Sequence, residues 1–157
     1  MSPLSALGQN LVFKNKVVTM HVVDHTVGFI LEIAIAGHLS MLDVAYIGQG
    51  IRDFLGQSVV AQRHLLFDIS DAESMTLSIM EGFASEMKAM RPLFEAHLQS
   101  SVIIASSVLL ENTLVRQFRR RYQPVRPMLI LQSERATKDA VLDFFSAEGT
   151  GRLVSSQ

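Results

Sequence analysis

The chain has 157 residues, 48% of them hydrophobic and 18% charged, with fourteen basic against fifteen acidic side chains. That length suits one domain, the apolar fraction excludes a mainly disordered chain, and a formal net charge of −1 excludes a global polycation built for nucleic acid. The absence of Cys excludes disulfides, thiolate nucleophiles, iron–sulfur clusters and Cys-based zinc sites.

The opening residues are polar and small with short apolar pieces, and Lys14 and Lys16 follow those pieces instead of preceding them, so no export signal is read there. Residues 17–23 (VVTMHVV) are β-branched and apolar, as strands are. Asp24, His25 and Thr26 then make a short turn into a second strand, residues 27–36 (VGFILEIAIA). So short a connection implies an antiparallel hairpin. The second strand is the most apolar stretch, yet it is about half the roughly 20 residues a spanning helix needs, and Glu32 interrupts it. A cytoplasmic protein without a membrane span is expected.

Ser40 is placed to cap a helix, with Asp43 three residues on in a near-capping-box position that also suits the helix dipole. Val44, Ile47, Ile51 and Phe54/Leu55 repeat at helical spacing to about residue 57. Gly48 and Gly50 inside that helix either permit close packing on the sheet or mark a kink. Residues 64–69 (HLLFDI) form the third strand, whose unbroken apolar run suits a central parallel position. A polar loop, residues 70–74, feeds a long helix to about residue 97, striped by Met80, Phe83, Met87, Met90 and Phe94, with Pro92 expected to kink or end it late. Residues 101–106 (SVIIAS) make a fourth strand. Leu110, Leu114 and Phe118 stripe a helix to about Tyr122, and Pro124 and Pro127 bracket the turn into a fifth strand, residues 128–132 (MLILQ). A last helix spans 134–145 with Ala136, Ala140, Val141 and Phe144 inward, and a loose tail follows. The order β-β-α-β-α-β-α-β-α predicts one α/β domain over residues 12–147, a mixed, mostly parallel five-stranded sheet with flanking helices, an N-terminal extension (1–11) and a C-terminal tail (148–157).

Four features lead to a family. The second strand runs into Gly37, His38, Leu39 and Ser40, similar to a "G-x-L" before a first helix. The third ends in Phe67, Asp68, Ile69 and Ser70, similar to "(V/L)-D-(L/F)-S". The fourth strand precedes an Arg-rich helix, and the last leads into a helix near Ala136–Ala140 where an "E-A" segment is usual. Together these resemble the STAS domain (sulfate transporter and anti-sigma-factor antagonist) and its STAS/SEC14-like bacterial relatives. The resemblance implies a non-catalytic regulatory or adaptor domain acting through protein–protein contacts. Phosphorylatable members carry "D-x-S-x-x-x-x-(M/I)-D-S-(S/T)-G"; Asp68, Ser70 and Met75 fit its first part, but Thr76, Leu77, Ser78 and Ile79 follow, so the acceptor Ser is missing. Thr76 and Ser78 are the hydroxyls left to stand in for it.

No G-x-S-x-G, H-E-x-x-H, P-loop or G-x-G-x-x-G pattern is present, so no enzyme, cofactor or metal is expected. The five histidines are dispersed, which suits satisfied or solvated side chains better than ligands. Asp68 and Asp71 flank the C-terminal end of the third strand, where open α/β sheets place ligands. Their simpler role, with Ser70, is to cap the helix that follows. The partner surface expected is Asp68, Ser70, Asp71, Ser74, Thr76 and Ser78, joined by Arg116, Arg119, Arg120 and Arg121 of the run RQFRRRYQPVR, whose guanidinium groups suit oxyanions or an acidic partner. A solvated Arg face is the simpler alternative there, and no nucleic-acid reader motif accompanies it. The Met stripe is most simply core; as a groove under the helix, with Met80, Phe83 and Met87 as ligand contacts, it would instead make the chain a carrier of a lipid or small molecule. The hairpin near a sheet edge also allows a homodimer.

Overall fold

The β-branched runs on either side of Thr26 and Val27 pair as a tight antiparallel hairpin, His25 opposite Gly28, and this hairpin seeds one mixed sheet. The structure is a computed structural model describing residues 3–4, 9–57, 61–73, 75–111, 116, 120, 123–147 and 153–155. The strands are β1 (Gln9–Lys14), β2 (Val18–His25), β3 (Gly28–Gly37), β4 (Arg63–Ala72), β5 (Ser100–Ala105), β6 (Met128–Gln132) and the three-residue β7 (Leu153–Ser155), and they lie side by side in chain order. Pairing is antiparallel from β1 to β3 and parallel from β3 onward. Five helices are described: α1 (Met41–Leu55), α2 (Leu77–Ala89), α3 (Arg91–His97), α4 (Ser107–Glu111) and α5 (Lys138–Ser146). The chain is a single α/β domain, as the alternation of strands and amphipathic segments implies.

The sheet is wider than the five strands expected. β1 begins at Gln9, inside the segment read as an extension, and β7 lies in the segment read as a tail. Both are edges, where one side meets solvent, so neither needs the apolar run that betrays a central strand. β1 shows this directly: Leu11 and Val12 are exposed, and the register slips between Leu11 and Phe13.

Leu31, Ile33, Leu65 and Phe67 point to the face covered by α1, α2 and α3, while Ile30, Leu66, Val102 and Leu129 point to the face covered by α5. The apolar runs of β3, interrupted by the buried Glu32, and of β4 follow from this coverage of both faces. His64 is buried on the α5 face. Its Nδ1 lies 2.7 Å from the Ser100 hydroxyl, its Nε2 3.0 Å from the Val27 carbonyl, and its ring stacks on Phe145 at 4.5 Å.

Helix boundaries follow local chemistry. The long helix expected to residue 97 is two helices, because Pro92 is tolerated only in a first turn and so starts α3, breaking the path at Met90. The last helix begins at Lys138, not 134: Thr137 caps it by accepting from the Ala140 N–H, and Ser133–Arg135 forms a separate 3-10 turn. Its buried face is Val141, Leu142 and Phe145, and Ala136, Ala140 and Phe144, expected inward, are only partly buried beside them. Gly48 and Gly50 are packing positions, not a kink, since α1 runs unbroken past them. A Cβ at Gly48 would lie 2.2 Å from a Glu86 carboxylate oxygen, and one at Gly50 2.6 Å from the Met20 sulfur. Arg52 then bridges to Glu86 at 3.0 Å across α1 and α2. Arg63 donates to the carbonyls of Leu55 and Gln57, and Arg126 to those of Phe94 and Glu95, so two guanidinium groups close helix C-termini.

The start of α1 is the capping box expected at Ser40 and Asp43. The Asp43 N–H donates to the Ser40 hydroxyl at 3.1 Å, and the Ser40 N–H returns a bond to the Asp43 carboxylate at 2.9 Å. Asn15 ties the β1–β2 turn to it by donating to the same carboxylate at 2.8 Å. Burial pushes the Asp43 carboxyl up, but the bonds from the Ser40 N–H, the Asn15 amide and the Ser40 hydroxyl outweigh it and hold the group below its ordinary value. The folded state therefore binds the proton less readily than the unfolded chain, whose Asp titrates near 3.9. This contribution to stability is complete above that value and is lost as pH falls through the folded-state pKa. Urea unfolding from about pH 5 down to pH 2 is expected to show a stability loss that is smaller in Asp43→Asn than in the wild type; identical slopes would remove Asp43 from the account.

Candidate functional site

Strands β3, β4 and β5 are parallel, so α1, α2 and α4 all start at one end of the sheet, the end at which open α/β sheets hold ligands. Five of the ten residues expected to meet a partner, Asp68, Ser70, Asp71, Thr76 and Ser78, lie here, but not in the loop expected for them. β4 continues to Ala72, with a bulge where Ala34 faces Asp68 and Ala36 faces Asp71, so Asp68, Ser70 and Asp71 are strand residues and do not cap α2. Thr76 does that, accepting from the Ile79 N–H at 3.3 Å. Asp68 is buried and pairs with its own neighbour: the Ser70 hydroxyl and N–H donate to one of its oxygens at 2.5 and 3.1 Å. By strand alternation it faces away from α2. Asp71, Thr76 and Ser78 are exposed. Arg116 and Arg120 are exposed and helical, whereas Ser74, Arg119 and Arg121 lie outside the described residues.

The same end carries apolar side chains that no charge pattern announces. Met41 and Leu42 at the start of α1 are 53% and 60% exposed, Leu77 at the start of α2 is 54% exposed, and Val108 in α4 is 81% exposed. The histidines do not converge. His38 contacts Glu73 at the surface, His64 is satisfied in the core, and no group of three or more His, Asp or Glu among the described residues could hold a metal ion. No described helix is long and apolar enough to cross a membrane.

Between the sheet and α2 lies a cavity of about 120 Å³. Its floor is Leu65, Phe67 and Ile69 of β4 with Ser101 and Ile103 of β5 and Met128 of β6. Its roof is Met80, Phe83 and Met87 of α2, and Phe94 of α3, Leu98 just after α3 and Met75 before α2 complete its lining. Met80, Phe83 and Met87, the three contacts expected of a groove, therefore share one cavity, while Met90 of the same stripe is core. The strand residues of the floor could not be singled out in sequence, because they look like every other inward position of β4 to β6. The helix break at Met90 helps to make the space: α2 and α3 meet the sheet as separate segments and leave a gap that flexible Met side chains only partly fill. Two polar depressions lie at the opposite end of the sheet, one lined by Asp24, His25 and Gln62, the other by Arg63, His97 and Arg126. In the second, both guanidinium groups already serve helix C-termini.

A solved structure from Shewanella loihica PV-4, of an uncharacterized protein of the DUF3478 family with a SpoIIAA-like fold, superposes on 87% of this chain and 99% of its own, at a TM-score of 0.55 and 15% identity. The chain therefore has the SpoIIAA-like fold, which is the STAS fold, as the element order and the Gly37–Ser40 and Phe67–Ser70 segments led one to expect. No protein-family model and no curated protein matches the chain.

Proposed function

We propose that this chain is a non-catalytic binding domain that takes a compact apolar group between its sheet and α2. The cavity under α2 carries the proposal. It is well below the roughly 300–1,000 Å³ of drug-sized sites and close to the roughly 150 Å³ at which an apolar cavity stays dry and accepts benzene. A whole lipid does not fit; a small apolar molecule, or one apolar group of a larger one, does. Toluene is the direct probe. At about five times its Kd it is expected to stabilise the wild type by about 1 kcal/mol, roughly 3 °C in Tm. Phe83→Trp, which puts a larger ring into the same space, is expected to weaken toluene binding about ten-fold or more by calorimetry. A wild type that shows neither heat nor a Tm shift with toluene would overturn the reading.

A second reading, a regulatory or adaptor domain docking a protein, is supported by the exposed Met41, Leu42, Leu77 and Val108 beside Asp71, Thr76 and Ser78. Solvent-facing apolar side chains gathered at one end of a domain are a common mark of interaction surfaces. The two readings separate at Leu77, which lies outside the cavity: Leu77→Glu alters a docking surface and leaves toluene binding as it was.

A further inference from the structure

Seven of the eight methionines are described, and five of those, Met20, Met80, Met87, Met90 and Met128, are buried. The other two are accessible. Met41 lies over Gly82, on the outside of the α1–α2 contact. Met75 is partly exposed and also lines the cavity, packed against the cluster of Met80, Leu109 and Met128. It is thus the one methionine among the described residues that meets both solvent and the cavity. The chain has no Cys to compete for an oxidant.

We propose that Met75 is a peroxide-oxidised modification site whose sulfoxide closes the cavity to its apolar ligand, an inference that rests on the cavity being a binding site. The Met75 sulfur lone pair attacks one oxygen of hydrogen peroxide, the S–O bond forms as the O–O bond breaks, and the proton of the transferred oxygen passes to the departing one, which leaves as water. The sulfur loses two electrons and the peroxide gains them. A flexible apolar side chain becomes a polar one at the cavity wall. A ligand without hydrogen-bonding groups would then bury the sulfoxide oxygen unpaired, which is expected to weaken its binding about ten-fold or more. Methionine sulfoxide reductase reverses the change.

The test treats purified full chain with dilute hydrogen peroxide, follows each methionine by peptide mass, and titrates toluene before and after. Met75 and Met41 are expected to gain oxygen before the five buried methionines, and toluene affinity to fall with the Met75 fraction. Met75→Leu is compared with itself before and after peroxide: whatever affinity for toluene it starts from, that affinity is expected to survive the treatment, although its Met41 still oxidises. Met75 reacting no faster than Met80 or Met87, unchanged affinity once Met75 is oxidised, or a loss of affinity in treated Met75→Leu would each overturn the switch while leaving the binding site intact. Absence of toluene binding before any oxidation overturns the binding site and the switch together.

Discussion

Gly28→Ala is expected to cost roughly 4 kcal/mol, a large part of the stability of a domain this size. Two effects add. Gly28 sits at φ +124°, a conformation side chains rarely adopt, and an added Cβ would lie 2.3 Å from the carbonyl oxygen of Gln62. That oxygen is backbone and cannot rotate aside. It also accepts the Phe29 N–H at 2.9 Å, so moving it breaks the bond that holds the start of β3 against the approach to β4. Gly37 provides the control. Its φ is +94°, but nothing lies within 4 Å of the Cβ position, so Gly37→Ala carries the conformational cost without the clash. Chemical denaturation of the two variants is expected to place Gly28→Ala well below Gly37→Ala; equal losses would show that the Gln62 contact relaxes freely.

Phe145→Ala is expected to remove about 4 kcal/mol and to lower Tm by roughly 10 °C. Phe145 is fully buried at the end of α5 and packs on the His64 ring. α5 is the sole described helix on its face of the sheet, so among the described residues no neighbouring helix can close over the space. The truncation also unstacks a histidine whose two ring nitrogens are engaged by Ser100 and Val27. Phe144, the adjacent ring, is only partly buried, and Phe144→Ala is the paired measurement. Comparable losses in the two would mean that α5 is anchored along its whole length and not by the ring at its end.

These two sites show what the amino-acid order makes legible. The His64 strand is plain from its apolar run, but its dispersal from other ligands leaves the histidine either satisfied or solvated, and only the fold shows Ser100 and Val27 engaging it. Phe145 is not distinguished from Phe144 by spacing alone, because Ala136, Ala140, Val141 and Phe144 repeat at helical intervals just as Val141, Leu142 and Phe145 do. The buried set Val141, Leu142 and Phe145 lies roughly 100° round the helix from the expected one. Ser40 and Asp43 were legible because a capping box is a local pattern that needs only three residues of spacing. β1 was not, because Gln9, Asn10 and Lys14 are the polar residues that an edge strand tolerates. Half of the candidate site was readable for the same reason. Met80, Phe83 and Met87 repeat along one helix, whereas the floor of the cavity comes from β4, β5 and β6, which are brought together only by the sheet. Local sequence suggests a cap at Asp68 because the bulge that carries β4 on to Ala72 leaves no local mark.

The side-by-side order of the strands bears on how the molecule assembles during synthesis. Each strand, as it emerges, finds the neighbour it must pair with already made, and none has to wait for a later segment or be inserted between two earlier ones. The hairpin of β2 and β3 needs no distant partner, and each parallel addition closes one crossover onto the newest edge. Such a sheet grows from one growing margin, so a stalled chain exposes a single unfinished edge at any moment, which limits the time that apolar strands such as β4 and β6 stand open to the wrong partner.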